Sequence, residues 1–300
     1  MFDTMTAPED VRIPSHGEQL AAYLYRPEQS RGDTPCVVMA HGFSATRDDG
    51  LPAYAEEFRD AGFAVIVFDY RHFGASTGEP RQLLDIGRQH DDYRAVVAWA
   101  RRLHGIDPDR IVLWGSSFSG GHVLAVAAGD PRVAAVISQA PFTDAIPALM
   151  RVPLKNAVRL TAAGLWDQLR GWRDRPPRLA RAVGAPGTLA AMTEADAKPG
   201  FEAIVPLNSL WRNEFAARLM LRFPFYRPGL KTAQLTMPLL VCVCENDTTT
   251  PPASTIKAAE HAPRGELRRY PYGHFAIYND PKVKADQIDF LRRVVAGVAA

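Results

Sequence analysis

One stretch of the chain has the makings of an activated nucleophile: Trp114-Gly115-Ser116-Ser117-Phe118-Ser119-Gly120-Gly121. It sits between an apolar run that reads as a strand (111–114) and a small-residue helix (120–128). A tight strand-to-helix turn exposes a serine hydroxyl, and small residues two before and two after it let the backbones approach. Gly115 and Ser119 fill those places around Ser117, with Ser119 standing where glycine is usual. The helix N-terminus behind Ser117 adds free N–H groups and a positive dipole end. Ser116 and Ser119 are rivals, but each is offset from the motif centre. A small turn with no chemistry is the plain alternative.

A serine hydroxyl is a weak nucleophile and needs a base within reach, most often histidine. Of eight histidines, His274 follows the last strand in Tyr270-Pro-Tyr-Gly-His274-Phe275 and precedes the last helix. A loop there lies beside the elbow. His72 is the nearest rival. His41 and His122 read as structural, and His16, His90, His104 and His261 as surface residues. The base needs a carboxylate to hold its tautomer. Asp247, in the loop after the 238–244 strand, supplies it in the chain order Ser117, Asp247, His274. Asp144 and Glu245 are alternatives, and a helix N-cap is the plain role for Asp247. Acyl transfer builds negative charge on a carbonyl oxygen, so two N–H donors are needed. The backbone N–H groups of Phe118 and Phe43 are the expected oxyanion hole, Phe43 lying in the His41-Gly42-Phe43-Ser44 turn.

These groups need a frame. Continuous apolar runs at 36–40, 64–68, 111–114, 133–137 and 238–244 alternate with helical spacings at 53–61, 83–103, 120–128 and 253–261. Such alternation means a mostly parallel sheet flanked by helices, an α/β class. An early hairpin pairs 11–15 with 20–25. A strand at 266–270 and a helix at 283–298 close the chain. From 145 to 230 no strand is evident, so 146–230 reads as a helical insertion into one core made of 1–145 and 231–300.

The 300 residues are 47% hydrophobic and 23% charged, which excludes collagen-like, disulfide-framework and disordered classes. A net charge of +2 leaves no global footprint for nucleic acid. Cys36, Cys242 and Cys244 read as buried thiols of a reduced, cytoplasmic protein. Residues 1–10 do not read as a signal peptide, and no apolar run is long enough to span a membrane.

Together these residues resemble the α/β-hydrolase superfamily over 35–145 and 236–300, plus the leading strands. The motifs agree in order: His41-Gly42, Asp69-Tyr-Arg71-His-Phe-Gly74-Ala-Ser76, the elbow, Asp247 and His274. His72 stands where the family commonly has glycine. The early hairpin and Ser76-Thr-Gly-Glu79 look more like esterases and peptidases of the dienelactone hydrolase and prolyl-oligopeptidase groups. The resemblance implies an α/β-hydrolase fold and a cap (lid) over the site formed by the insertion.

That insertion carries 11 Arg and 2 Lys against 3 Asp and 3 Glu, and three of the five tryptophans, Trp166, Trp172 and Trp211. A basic, aromatic cap would favour an acyl substrate with an apolar body and an anionic end; solvated or ion-paired arginines are the plain alternative. Arg71, Trp166 and Trp172 are candidate pocket residues. Pro- and Gly-rich stretches at 175–178 and 184–187 suggest loops that let the cap move. The expected function is cleavage of a carboxylic ester or thioester by Ser117, His274 and Asp247 through an acyl-enzyme, with no cofactor and no metal. The expected partner is a small-molecule acyl substrate; a homodimer stays open. The alternatives are a peptidase or amidase on the same triad, carbon–carbon bond hydrolysis, and a non-catalytic ligand-binding scaffold.

Overall fold

The computed structural model describes residues 7–28 and 33–296. The reading of the first ten residues falls largely outside that set, as does the end of the last expected helix.

An antiparallel hairpin, β1 (Glu9–Ser15) and β2 (Glu18–Tyr25), opens the chain, with Ser15 opposite Glu18. β3 (Thr34–Ala40), α1 (Pro52–Asp60), β4 (Ala64–Phe68), α2 (Ile86–Ala100), β5 (Ile106–Ser116), α3 (Phe118–Ala127) and β6 (Ala135–Gln139) follow. After the insertion come β10 (Leu239–Cys244), α7 (Pro252–His261), β11 (Gly265–Tyr270) and α8 (Pro281–Leu291). The sheet runs β1-β2-β4-β3-β5-β6-β10-β11, parallel from β4 through β11. Helix α2 is shorter than the spacing predicted because Asp85 caps it, its carboxylate accepting from the Arg88 N–H.

The parallel strands β3, β4, β6 and β10 are buried at every position because both faces of the sheet are covered. Along β3, Cys36, Val38 and Ala40 face α2 and α3, while Val37 and Met39 face α1 and α8. The two-residue period of a strand makes that division. Cys242 and Cys244 share the second face, and all three thiols are buried and free. Burial pushes the Cys36 and Cys242 thiols up to about 12.

The insertion leaves β6 and returns to β10. It holds α4 (Ala145–Leu149), α5 (Leu154–Gly171), α6 (Ala197–Ile204) and a second sheet. That sheet corrects the expectation of a purely helical segment: β7 (Leu179–Val183) pairs with β8 (Ala190–Met192) and with β9 (Phe215–Ala216). These strands are two to five residues long, too short for a period-2 pattern to show. Asp167 on α5 ties the segment together. Its carboxylate pairs with the Arg218 guanidinium at 2.8 Å and accepts from the Arg178 and Arg218 backbone N–H groups. Links to the core include the Ser44 hydroxyl donating to the Glu214 carbonyl at 2.9 Å and Arg227 paired with Asp144 at 2.9 Å.

Candidate active site

β5 runs straight into α3, and Ser117 stands at the join with φ 56° and ψ −118°. Glycine at 115 is obligatory on steric grounds: a Cβ there would lie 2.2 Å from the Ser119 carbonyl oxygen. The Ser117 N–H donates to the Gln139 carbonyl, and the Ser117 carbonyl accepts from the Phe142 N–H. Neighbouring β6 thereby holds the turn in its strained shape. Ser119, the departure from glycine, is fully buried, with its hydroxyl hydrogen-bonded to the His41 carbonyl and to Tyr70. Ser116 points the other way, into a network with Tyr278 and Gln139. Neither rival serine lines the cavity.

His274 Nε2 lies 2.9 Å from Ser117 Oγ, and His274 Nδ1 lies 2.7 Å from Asp247 Oδ2. An N–H at Nδ1 donating to the carboxylate leaves Nε2 free to accept the serine proton. Asp247 Oδ1 accepts from the Thr249 and Thr250 N–H groups, so one oxygen shapes the loop and the other meets the histidine. The plain N-cap role for Asp247 does not hold, since the α7 N-cap is Pro251. Thr250, which the sequence reading missed, donates its hydroxyl to Asp247 Oδ2 at 2.7 Å and lies 3.3 Å from His274 Nδ1. The alternative acids are engaged elsewhere: Asp144 caps α4 and pairs with Arg227, and Glu245 lies at the surface near Arg269.

Electrostatics separate His274 from the other buried histidines. Burial alone would lower its pKa, but the adjacent Asp247 charge and hydrogen bond outweigh burial, and the net shift is upward. Burial instead lowers His41, His72 and His90 to about 4 and His122 well below its ordinary value. His90 is not the surface residue expected: it is half-buried, with Nε2 3.1 Å from His122 and 3.3 Å from the Tyr226 hydroxyl. His72 adopts φ 72°, the left-handed backbone that the commoner glycine would supply.

The His41–Ser44 turn passes directly beside Ser117, where a Cβ on Gly42 would be 3.0 Å from the serine Cβ. Phe43 follows, and its ring packs edge-on against that of Phe118 at 5.5 Å. The Phe118 N–H heads α3, where no intrahelical acceptor exists. The Asp69 motif is scaffolding for this edge. Its carboxylate accepts from the Arg47 and Ala75 N–H groups. Arg71 pairs with Asp92 and reaches Ser15, so it is not a pocket residue.

Ser117 is 8% exposed and opens onto a cavity between core and insertion. Phe43, Phe118 and Phe142 wall it from the core, and Leu149, Leu160, Met192, Met220 and Phe223 from the insertion. No arginine, lysine or tryptophan of the insertion lines it. Trp166 on α5 and Trp172 at its C-cap are exposed, and Trp211 stacks on Phe201. Among the described residues, the expected anionic-end subsite therefore has no cation to form it. Arg212, Arg218 and Arg227 are paired with Glu214, Asp167 and Asp144.

Comparison with known proteins gives the family. Residues 16–182 match the family model for the X-Pro dipeptidyl-peptidases (S15 family). The chain is 44% identical over 292 residues, 96% of each protein, to the quorum-quenching protein AidA of Acinetobacter baumannii. It is 38% identical to the thiohydrolase aneE of Aspergillus aculeatus over 153 residues, 49% of this chain and 47% of that one. The α/β hydrolase GrgF of Penicillium sp. sh18 superposes with a TM-score of 0.84 at 25% identity, over 97% of this chain and all of that one. The chain belongs to the S15 family and, with it, to the hydrolases of α/β-hydrolase fold.

Proposed function

We propose that the protein is a serine esterase or thioesterase working through an acyl-enzyme. One observation carries the reading: at the floor of an apolar cavity, Ser117 Oγ sits 2.9 Å from His274 Nε2, and Asp247 holds the other ring nitrogen. Ser117 attacks the acyl carbonyl as His274 takes its proton. The N–H groups of Phe43 and Phe118 receive the oxyanion. His274 then protonates the departing alcohol or thiol. Water enters, gives a proton to His274, and its oxygen bonds to the acyl carbon; His274 then returns that proton to Ser117 Oγ as the acyl–serine bond breaks, releasing the acid. Residues 146–230 serve as the cap that excludes bulk water and measures the acyl chain.

A thioester fits the same steps, and the likeness to a thiohydrolase favours including it. The likeness to a quorum-quenching protein makes an ester-bearing quorum signal the natural substrate class to screen first. The test is turnover of p-nitrophenyl esters from acetyl to long acyl chains by wild type and Ser117→Ala. Turnover that peaks at one chain length and disappears in the variant supports the reading. Equal turnover by both proteins overturns it.

A further inference from the structure

The cavity above Ser117 is apolar except for a few side chains, and two of these each carry a buried oxygen that is unused. Glu194 Oε2 and Thr249 Oγ1 are both buried, and neither has a hydrogen-bond partner. The other polar groups beside the serine are engaged: Ser117 with His274, and Thr250 with Asp247. Glu194 comes from the insertion, between β8 and α6, and Thr249 from the core loop after β10. The two halves of the molecule thus each bring one unpaired oxygen to the same apolar space. A buried carboxylate oxygen without a donor is costly, and the cost is relieved when a ligand brings one. Burial raises the Glu194 pKa against the pull of the backbone amides of Glu194 and Thr193, and its charge reaches His274.

We infer that Glu194 and Thr249 form a polar subsite for a neutral hydrogen-bond donor, a hydroxyl or an amide N–H, carried by the substrate along its acyl part. The donor meets Glu194 Oε2, and the Thr249 hydroxyl bonds to the same polar group. With no lysine or arginine among the described residues lining the cavity, a carboxylate placed there would face Glu194 unneutralised. The subsite deepens the proposed esterase reading, on which it rests for the bond that is cleaved. A site built around an unpaired acceptor rejects the analogue that lacks the donor more strongly than an apolar pocket rejects a missing methylene.

The experiment compares methyl esters of equal chain length that are plain, hydroxylated, acetamido-substituted or carboxylated, with the substituent moved along the chain. Wild type, Glu194→Ala, Glu194→Gln and Thr249→Val are assayed, and the readout is each protein's kcat/KM ratio of substituted to plain ester. The same ratio is measured as affinity by calorimetry with Ser117→Ala, alone and combined with Glu194→Ala. The expected result is a ratio of about tenfold or more for a hydroxy or acetamido ester. It should fall toward one in Glu194→Ala, fall in part in Thr249→Val, and be partly kept in Glu194→Gln, whose amide oxygen still accepts. The larger ratio, hydroxy or acetamido, identifies the donor. Ratios near one in both kinetics and binding, a ratio unmoved by Glu194→Ala, or a preference for the carboxylated ester overturns the subsite. Turnover of plain ester without donor preference overturns the subsite and leaves the esterase reading standing. Donor-selective binding without turnover does the reverse.

Discussion

The core and the insertion bury their apolar residues by different rules. In the core, β3, β4, β6 and β10 are buried at every position. In the insertion, the three strands are two to five residues long, and every large apolar side chain found exposed among the described residues lies within 146–230. Met150 is 83% exposed and Trp172 73%. The core strands must be covered on both faces, so burial dictates their composition. The insertion buries a smaller set, among it Val183, Ala197, Phe201, Phe215 and Leu219 together with the roof of the cavity, and leaves its outer face free of that demand. The core brings Ser117, His274 and Asp247 together, whereas the insertion supplies Leu160, Met192, Met220 and Phe223 to the cavity above them.

The sharpest way to break this division is to remove the reacting groups while leaving both regions folded. Ser117→Ala should lower kcat by about 10³-fold or more, and Asp247→Asn by about 10²- to 10⁴-fold. Circular dichroism should match wild type in both.

The pH profile sharpens the same point. As the proposed base, His274 must be neutral, and its pKa is raised because the Asp247 charge and hydrogen bond outweigh burial. The kcat/KM of wild type should therefore fall as pH drops through a value above 6.5, the ordinary histidine value. In Asp247→Asn that limb should move to lower pH. The stability sign is the opposite one: a raised histidine contributes stability below its unfolded pKa and loses it as pH rises through the folded pKa.

Core packing comes next in size. Phe58 is fully buried between α1 and the sheet, and Phe58→Ala should cost about 3–5 kcal/mol in denaturant unfolding. Leu160 roofs the cavity from α5, so Leu160→Ala should shift the preferred acyl length, changing kcat/KM ratios between esters by about 10- to 200-fold. The smallest effect belongs to the outer face of the insertion. Trp172→Ala should change stability by no more than about 0.5 kcal/mol and leave the chain-length profile in place. A Trp172 effect as large as that of Phe58 would abolish the contrast.

What the sequence made legible follows the same line. Long apolar runs and the elbow are local signals, so β3 through β6, β10 and the neighbourhood of Ser117 could be read directly. Asp247 and His274 could be read because each follows a recognisable strand end. Thr250, Glu194 and Thr249 could not, because their significance depends on which side chains already have partners. The second sheet escaped because β9 is only two residues long and is held by pairing across the insertion. His90 looked like a surface residue until α3 and Tyr226 closed over it. That arginines of the insertion are ion-paired was open in the sequence as the plain alternative, but two of the partners could not be read because they are distant in the chain: Asp144 lies 83 residues from Arg227 and Asp167 51 residues from Arg218.

The central claim is that Ser117 carries the acyl group. Wild type and Ser117→Ala should be treated with a serine-directed fluorophosphonate and, separately, quenched during ester turnover, and the modified peptide located by mass spectrometry. The account predicts one adduct, on Ser117, in both treatments and none in the variant. An adduct on another residue, or unmodified wild type that still turns over ester, would contradict it.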